Sequence, residues 1–243
     1  MKNVGCFNIK MSYVKNYDKQ MPLYNFTVFK GDGGYLNKED HIKKEQYSLT
    51  HHKEARFLSK YILKKVSSKE RVLVVDATTS IGGNFLSFID HFDYIIGTEI
   101  NSIRFQKLVE NIEKKKKIRF TKKGDLRYIY DKRIILINDS FVTNLNYIIA
   151  KTQKFNKSVI FIDPPWGGKQ YKTFDYILLG LHGIPINVII NKILLLNKDV
   201  IVIAKLPKNY LFELFDNTYR KIDMGNFYYV DFSCASPSPK IHN

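Results

Sequence analysis

Cysteine is nearly missing from this chain of 243 residues, in which only Cys6 and Cys234 occur. They form no CxxC pair, so the sequence supports neither a zinc site nor a disulfide framework. The histidines His91, His182 and His242 show no metal-ligand spacing, and we expect no bound metal. A reducing, intracellular location is the default for such a chain, with cytoplasm and nucleus left undistinguished.

Long apolar runs are missing as well. The N-terminal residues 1–20 lack the apolar region of a secretory signal. The most apolar stretch, residues 184–206, is interrupted by asparagine, lysine and aspartate side chains, which are rare in a membrane span. We therefore expect no membrane partner.

Acidic residues are few: 23 Asp and Glu stand against 39 Lys and Arg, for a net charge of +16. A basic surface of this size favours phosphate-rich partners such as nucleic acid. Hydrophobic residues make up 44% of the chain and aromatic residues 14%, which predicts a folded protein. The length suits one domain with a small appendage, and a monomer is compatible with it.

Short apolar runs alternate with helical patterns after Glu70. Five runs are typical of buried parallel strands: residues 71–76, 93–99, 133–139, 158–163 and 200–206. Residues 218–223 and 226–233 fit a closing antiparallel pair. This alternation predicts an α/β fold with a Rossmann-like, doubly wound and mostly parallel sheet. Ligands of such sheets bind beyond the carboxyl ends of the strands.

The segment before this pattern is polar and aromatic, with a GDGG turn at 31–34. A helical face follows between Thr50 and Val66, and Thr50 is placed to cap that helix; the face consists of Ala55, Leu58, Tyr61, Ile62 and Val66. The sequence therefore predicts an N-terminal extension, residues 1–67, with a small helix, and a core of residues 68–243.

Residues 113–133 are strongly basic with interleaved aromatic side chains. We interpret them as a helix end followed by a hairpin around Lys123–Gly124. The segment is either an arm that contacts phosphates or a solvated insertion, and the sequence does not decide between the two.

Three successive predicted strands end in an acid: Asp76, Glu99 and Asp139. The turn after Asp76, within VDATTSIGGN (75–84), carries Gly82 and leads into a helix N-terminus that can approach a ligand closely. Glu99 is spaced to accept both ribose hydroxyls, Asp76 can reach the cationic amino-acid part of a cofactor, and Asp139 can meet an adenine edge. The turn lacks a full GxGxxG and the chain has no GxxxxGK[ST] phosphate loop, which favours S-adenosylmethionine over a dinucleotide.

The fourth strand ends in IDPPWGG (162–168), the most specific motif of the chain. Asp163 or its backbone can accept hydrogen bonds from an amino group, Pro164 stiffens the backbone, and Trp166 offers a flat face for a base. An exocyclic amine is a poor nucleophile and must be held near the methyl donor, so positioning does most of the work in such a transfer. The motif therefore predicts methylation of a nucleobase amine.

At these residues the chain resembles the trimethylguanosine synthases, which methylate N2 of the N7-methylguanosine cap of RNA, in a compact viral or microbial form. The resemblance runs from about residue 48 to about residue 209 and rests on the order and spacing of four pieces: SLT before Ala55, VDA…GGN (75–84), DPPWGG…Y (163–171) and LPKN (206–209). It implies a class I methyltransferase fold, S-adenosylmethionine as cofactor and capped RNA as partner.

The resemblance also implies roles for individual residues. Asp163 and Pro164 hold the N2 amine, and Trp166 stacks on the cationic methylated guanine, with a cation–π contribution of about 0.5–2 kcal/mol. Tyr171 and Lys208 face the cap triphosphate. The N-terminal extension covers both sites, Thr50 closes over the cofactor, and the cofactor is held by Asp76, Gly82, Glu99 and Asp139.

The chain departs from the family pattern in three of its motifs. Ser80 stands where the family usually has glycine, and Thr78 and Thr79 stand where it has aromatic or cysteine residues. Asp163 stands where the family has serine, and aspartate at this place is common in adenine-N6 methyltransferases. Lys208 stands where the family has arginine, so a point charge takes the place of a guanidinium group with several donors.

Three functions remain open from the sequence. A cap guanine-N2 methyltransferase is favoured by the glycines after Trp166 and by Tyr171 and Lys208. An adenine-N6 methyltransferase on DNA or RNA shares the Asp-Pro-Pro-Trp chemistry. A non-catalytic RNA-binding subunit is compatible with Ser80 but not favoured by the retained acids. The number of methyls added and the RNAs used are not indicated.

Overall fold

The computed structural model describes residues 26–29, 50–66 and 70–233. The predicted turn at 31–34, both cysteines and His242 lie outside these residues.

The described residues form twelve strands and five helices. The strands are β1 Phe26–Phe29, β2 Val72–Asp76, β3 Tyr94–Thr98, β4 Thr121–Lys123, β5 Arg127–Tyr130, β6 Ile134–Ile137, β7 Lys157–Ile162, β8 Tyr176–Leu181, β9 Ile184–Pro185, β10 Ile201–Pro207, β11 Arg220–Asp223 and β12 Phe227–Asp231. The helices are α1 His52–Lys65, α2 Gly83–His91, α3 Ser102–Lys116, α4 Leu145–Thr152 and α5 Ile186–Leu196.

The main sheet has nine strands in the order β11-β12-β10-β7-β2-β3-β6-β5-β4. Its five central strands run parallel, and β12 closes one side antiparallel to β10. The chain first moves outward from β2 to β3 and β6, then returns to β7 and continues to β10. The direction therefore reverses between β2 and β7, which is the topological switch point. The predicted Rossmann-like, doubly wound sheet is confirmed.

The central strands are apolar on both faces because helices cover both. In β2, Leu73 and Val75 pack in the cluster that includes α4 and α5, whereas Val74 packs with α1, α2 and α3. This alternation follows from the two-residue period of a strand, and it explains why these segments are continuous apolar runs.

The helix α1 packs on the core through the predicted face, with Ala55, Leu58 and Ile62 buried. Its N-cap is His51, whose Nδ1 accepts a hydrogen bond from the Lys53 N–H at 3.3 Å. The prediction that Thr50 caps this helix is therefore wrong. The Thr50 hydroxyl is instead used in long-range hydrogen bonds.

Two ties join α1 to distant elements. Ser59 Oγ lies 2.8 Å from Ser87 Oγ on α2. The buried Asp231 of β12 accepts a hydrogen bond from the Tyr61 hydroxyl and lies 2.6 Å from Lys65 Nζ. Burial alone favours a raised pKa for Asp231, but the hydrogen bonds from Lys65, Tyr61 and Ser233 outweigh it and hold the pKa below its usual range.

The predicted hairpin in the basic segment is confirmed as β4 and β5, which pair antiparallel around Gly124. Arg127 of β5 lies opposite Ile137 of β6, and Leu126 O accepts a hydrogen bond from the Asn138 N–H. The tip of the hairpin therefore lies at the carboxyl edge of the sheet. All three residues of β4 are exposed, and lysines on an edge strand discourage pairing with another chain.

A small second sheet, in the order β1-β8-β9, was not predicted. Residues 26–29 pair in parallel with β8, which lies between the DPPW motif and α5. A segment preceding the core thus adds a strand beside the residues that link the DPPW motif to α5.

Candidate active site

Four carboxylates lie at the carboxyl edge of the parallel strands, as their positions in the sequence predict. Asp76 ends β2, Glu99 follows β3, Asp139 lies two residues after β6, and Asp163 follows β7. These strands are neighbours in the order β7-β2-β3-β6. The four side chains therefore line one continuous edge that includes the switch point.

Asp76 is the most buried of the four, with 1% of its surface exposed. Its Oδ1 accepts a hydrogen bond from the Thr78 N–H at 3.1 Å. Burial raises its pKa to about 8, the Thr78 hydrogen bond opposes that rise, and the charges of Asp163 and Glu99 add to it. A buried carboxylate with this pKa would be stabilised by a cation.

Glu99 is held at the carboxyl edge of the sheet by its own hydrogen bonds. Oε2 accepts from the Ser80 N–H at 3.0 Å, and Oε1 accepts from the Asn101 N–H at 2.8 Å and from Arg104 Nε at 3.0 Å. The carboxylate is thus held in one orientation by β3, α3 and the turn after β2. Ribose hydroxyls bound here would share or displace the Arg104 contact.

Asp139 is half-buried beyond the end of β6. Its Oδ1 accepts a hydrogen bond from the Ser140 N–H at 2.7 Å, and its Oδ2 accepts from Asn144 Nδ2 at 2.9 Å. These contacts fix the carboxylate at the start of the segment that leads into α4. Its neighbour Asn138 donates from Nδ2 to the Glu99 carbonyl at 2.9 Å. This hydrogen bond joins the segment that carries Asp139 to the end of β3.

The turn between β2 and α2 explains two departures from the family pattern. Ser80 has a left-handed backbone with φ of 48°, so this position has the conformation that favours glycine. Thr79 closes the turn, because its hydroxyl donates to the Thr98 carbonyl at 3.0 Å. Gly82, with φ of 106°, is the N-cap of α2, and its N–H donates to the Thr79 carbonyl. Its part is to shape the turn.

Asp163 is joined to the turn after β2 by its backbone. The Asp163 N–H donates to Thr78 Oγ1 at 2.9 Å. Its side chain points to the other side of the edge, where Lys205 Nζ of β10 lies 3.2 Å from Oδ2. Burial raises the pKa of Asp163, and the charge and hydrogen bond of Lys205 oppose that rise.

Trp166 is half-buried and packs against both hydrophobic clusters. Its ring meets Tyr171 edge-on, with centroids 5.2 Å apart, and lies 6.1 Å from the ring of Phe227. The ring thus combines packing with partial exposure. Pro164 is buried beside it and Pro165 is exposed.

The LPKN segment (206–209) carries two side chains with contacts near the predicted cap site. Asn209 Nδ2 donates to the carbonyls of Tyr171 and Phe174, at 2.8 Å each, and so fastens the turn that carries Tyr171. Lys208 is 45% exposed and pairs with Asp223 at 3.1 Å. A phosphate group at Lys208 would compete with this ion pair.

Sequence reasoning missed Lys205. It is 7% exposed, and its Nζ donates to Thr50 Oγ1 at 3.1 Å as well as facing Asp163. Thr50 also accepts from Asn84 Nδ2 at 3.0 Å. The only sequence signal was a lysine inside an otherwise apolar strand, where a charge is found only when it is paired.

No group of three or more His, Cys, Asp or Glu side chains that could hold a metal ion is present in residues 26–29, 50–66 and 70–233. Within the same ranges no helix is long and apolar enough to cross a bilayer.

The donor set fits S-adenosylmethionine. Asp76 supplies a buried carboxylate suited to an ammonium group, Glu99 supplies a fixed carboxylate at the next strand, and Asp139 follows at the third. The cofactor would then lie across the ends of β2, β3 and β6, on the turn shaped by Ser80 and Gly82.

Comparison with known proteins decides the family. The family whose model matches residues 71–226 is described as RNA cap guanine-N2 methyltransferase. The chain belongs to this family. The matched range contains Asp76, Glu99, Asp139 and the DPPW motif, so the family core and the candidate site coincide. With its strand order, the chain has the class I methyltransferase fold.

Two curated proteins are similar to this methyltransferase-family chain. An uncharacterized protein, L320, of Acanthamoeba polyphaga mimivirus is 29% identical over 170 residues, which cover 69% of this chain and 59% of that protein. The trimethylguanosine synthase of Saccharomyces cerevisiae is 27% identical over 183 residues, covering 74% of this chain and 52% of that protein. The chain thus spans somewhat more than half the length of these relatives.

Among solved structures, the METTL16 MTase domain is similar with a TM-score of 0.47 at 15% identity, covering 72% of this chain and 64% of that one. The fold assignment rests on the strand order and the family.

Proposed function

We propose that this protein is an S-adenosylmethionine-dependent methyltransferase that acts on N2 of the N7-methylguanosine cap of RNA. The observation that carries the proposal is the link between the two halves of the site: Thr78 forms hydrogen bonds with Asp76, the carboxylate proposed for the cofactor, and with Asp163, which begins the DPPW motif. Donor and acceptor of the methyl group would thereby be held in fixed relation.

Each residue has a physical task in this proposal. Bound S-adenosylmethionine would supply an activated methyl group: its S–CH3 bond would break as the N–CH3 bond forms, S-adenosylhomocysteine would be left, and the proton lost by the amine would pass to solvent or to the Asp163 carboxylate. Asp76 holds its cationic amino-acid end, Glu99 its ribose and Asp139 its adenine edge. The Asp163 carboxylate accepts a hydrogen bond from the exocyclic amine, which favours a nitrogen lone pair directed at the methyl carbon. Proximity and orientation then lower the barrier.

Trp166 supports the preference for a methylated cap. Its ring is partly exposed, is held edge-on by Tyr171 and lies at the same end of β7 as Asp163. An N7-methylated guanine is cationic and gains about 0.5–2 kcal/mol over an aromatic face relative to a neutral base. In this proposal Tyr171 and Lys208 contact the cap phosphates.

Asp163 also supports a second candidate, an adenine-N6 methyltransferase. The carboxylate stands where the trimethylguanosine synthases have serine, and Asp-Pro-Pro-Trp is a motif of adenine-N6 enzymes. A carboxylate accepts a hydrogen bond from either amine, so its presence alone does not choose the base.

A substrate comparison tests both. The protein is incubated with S-adenosylmethionine and, separately, with N7-methyl-GTP, GTP and an adenine-containing oligonucleotide, and the products are weighed by mass spectrometry. We expect one or two methyl masses on N7-methyl-GTP and none on GTP. A gain on the oligonucleotide alone would replace the cap proposal by the adenine-N6 one. Cofactor binding without transfer to any of them would leave the non-catalytic RNA-binding alternative.

A further inference from the structure

Lys205 carries a buried positive charge at the centre of the candidate site. We infer that Lys205 is a positioning residue: it keeps the Asp163 carboxylate ionised and directed at the substrate amine, and it fastens Thr50 beside it. The catalytic consequence of this role rests on the proposed function, whereas the effect on Asp163 does not.

The geometry gives Lys205 two acceptors and an aromatic wall. Its Nζ lies 3.2 Å from Asp163 Oδ2 and 3.1 Å from Thr50 Oγ1. The rings of Phe227 and Trp166 lie 4.8 Å and 5.7 Å from the same atom. With 7% of its surface exposed, this ammonium has little water to replace a lost partner, and a buried charge is tolerated only when it is paired.

The other groups that face Asp163 are acidic or neutral. Asp76 faces it from β2, Glu54 from α1 and the Tyr229 phenol from β12. Lys205 faces it from β10 and opposes the effect of burial. Without Lys205, Asp163 would take up a proton more readily, because burial and acidic neighbours both disfavour its negative charge.

Protonation would change what Asp163 offers to a substrate. An ionised carboxylate only accepts hydrogen bonds, whereas a protonated one carries a donor. An exocyclic amine needs the acceptor. The pair also presents no net charge beside Trp166, so the ammonium does not repel a cationic base stacked there.

Lys205→Met removes the charge while keeping most of the apolar stem. We expect kcat at neutral pH to fall by about tenfold or more and the acidic limb of the pH–rate profile to move up by about one pH unit or more. Cofactor affinity should change much less than kcat, because Asp76 and Glu99 are untouched and Thr50 keeps its hydrogen bond from Asn84. Lys205→Arg should recover part of the activity and the acidic limb. Lys107→Met, at an exposed ion pair on α3, is the matched control and should change nothing.

Coupling to Asp163 distinguishes positioning from a general loss of structure. In an Asp163→Asn background, Lys205→Met should cost little further activity, because the group on which it acts no longer titrates. A full additional loss in the double variant would overturn the inference. An unshifted pH–rate profile together with tighter binding of N7-methyl-GTP in Lys205→Met would also overturn the inference. Lys205 would then act only by repelling the cationic base.

A measurement without cofactor or substrate separates this inference from the proposed function. The Asp163 carboxyl carbon is titrated by NMR in the wild type and in Lys205→Met, with Asp163→Asn used to assign the signal. A midpoint raised by about one pH unit or more in the variant supports the role of Lys205, even if no cap or adenine substrate is methylated. An unchanged midpoint contradicts it, even if the cap is methylated.

Discussion

Thr78 Oγ1 accepts a hydrogen bond from the Asp163 backbone N–H at 2.9 Å, while the Thr78 N–H donates to Asp76 at 3.1 Å. One residue of the turn after β2 is therefore shared by the carboxylate proposed for the cofactor and by the motif proposed for the base. The switch point makes this possible, because β2 and β7 are adjacent there although residues 78 and 163 are far apart in the chain.

Thr78→Val keeps the shape of the side chain and removes the acceptor. The Asp163 N–H then loses its partner, and an unsatisfied donor costs about 1–3 kcal/mol when it is buried. We expect the free energy of unfolding, measured by urea denaturation, to decrease by about 1 kcal/mol, the lower end of that range. We also expect kcat to fall by about tenfold to 100-fold as the DPPW motif shifts. Thr78→Ser retains the acceptor and should stay close to wild type. A loss in Thr78→Ser with none in Thr78→Val would show that the methyl group, not the hydroxyl, matters.

Ser80→Gly tests the strained turn. A non-glycine residue in the left-handed region costs about 1–2 kcal/mol, which glycine would relieve. The greater flexibility of glycine in the unfolded chain offsets about 0.5–1 kcal/mol of this relief. We expect Ser80→Gly to be more stable in urea by up to about 1 kcal/mol and to bind cofactor at least as well. Ser80→Val should be clearly less stable, since a β-branched side chain fits φ of 48° poorly. A glycine variant less stable than wild type would show that the serine hydroxyl contributes more than the strain costs.

The parallel core and its four carboxylates could be predicted from the sequence, for one physical reason. Buried parallel strands are continuous apolar runs, and their carboxyl ends converge on one edge, so an acid after each run falls in the site whatever the details of packing. The hairpin around Gly124 was similarly local, since a turn and its flanking strands are neighbours in the chain.

The rest depended on partners far away in the chain. Threonine is by itself a better N-cap residue than histidine. The Thr50 hydroxyl nevertheless accepts hydrogen bonds from Asn84 and Lys205, and His51 is the N-cap of α1. The strand β8 was missed because its parallel partner lies about 150 residues earlier, at 26–29.

Asn209→Ala tests whether the LPKN segment acts through the Tyr171 turn. Both hydrogen bonds to the carbonyls of Tyr171 and Phe174 are lost, and the turn gains freedom that cap binding must then remove. We expect the Kd for N7-methyl-GTP to rise by about tenfold, corresponding to the loss of one to two net hydrogen bonds. The Kd for S-adenosylmethionine, measured by calorimetry on the same sample, should hardly change. A parallel rise of both constants would assign Asn209 to general stability.

Trp166→Phe tests the stacking role with less damage than alanine. Truncation to alanine would also remove packing against Tyr171 and Phe227, whereas phenylalanine keeps a ring and provides a weaker cation–π surface. We expect the preference for N7-methyl-GTP over GTP, measured as a ratio of Kd values, to narrow several-fold with little change in cofactor affinity. An unchanged ratio would place the origin of cap preference elsewhere.

Asp76→Asn should separate stability from cofactor binding through pH. Burial raises the pKa of Asp76 from 3.8 to about 8 in the folded chain. Between these values the folded state holds a proton that the unfolded state has lost, so wild-type stability falls as pH rises from about 4 to about 8 and then levels off. The ionised carboxylate that binds a cationic group appears over the upper part of the same range, and cofactor affinity should rise there.

The asparagine carries no charge, so the variant should lose both trends. Its thermal midpoint should depend less on pH and exceed that of wild type at pH 9, while its cofactor affinity is lower and no longer rises towards pH 8. Asp90→Asn, which removes one carboxylate from an ion pair with Lys116 on the surface, controls for the change in net charge. If wild type and Asp76→Asn lose stability in parallel as the pH rises, the buried proton is not on Asp76. A buried carboxylate that destabilises the empty fold when it is ionised is typical of a functional site, and the two trends together test the cofactor role proposed for Asp76.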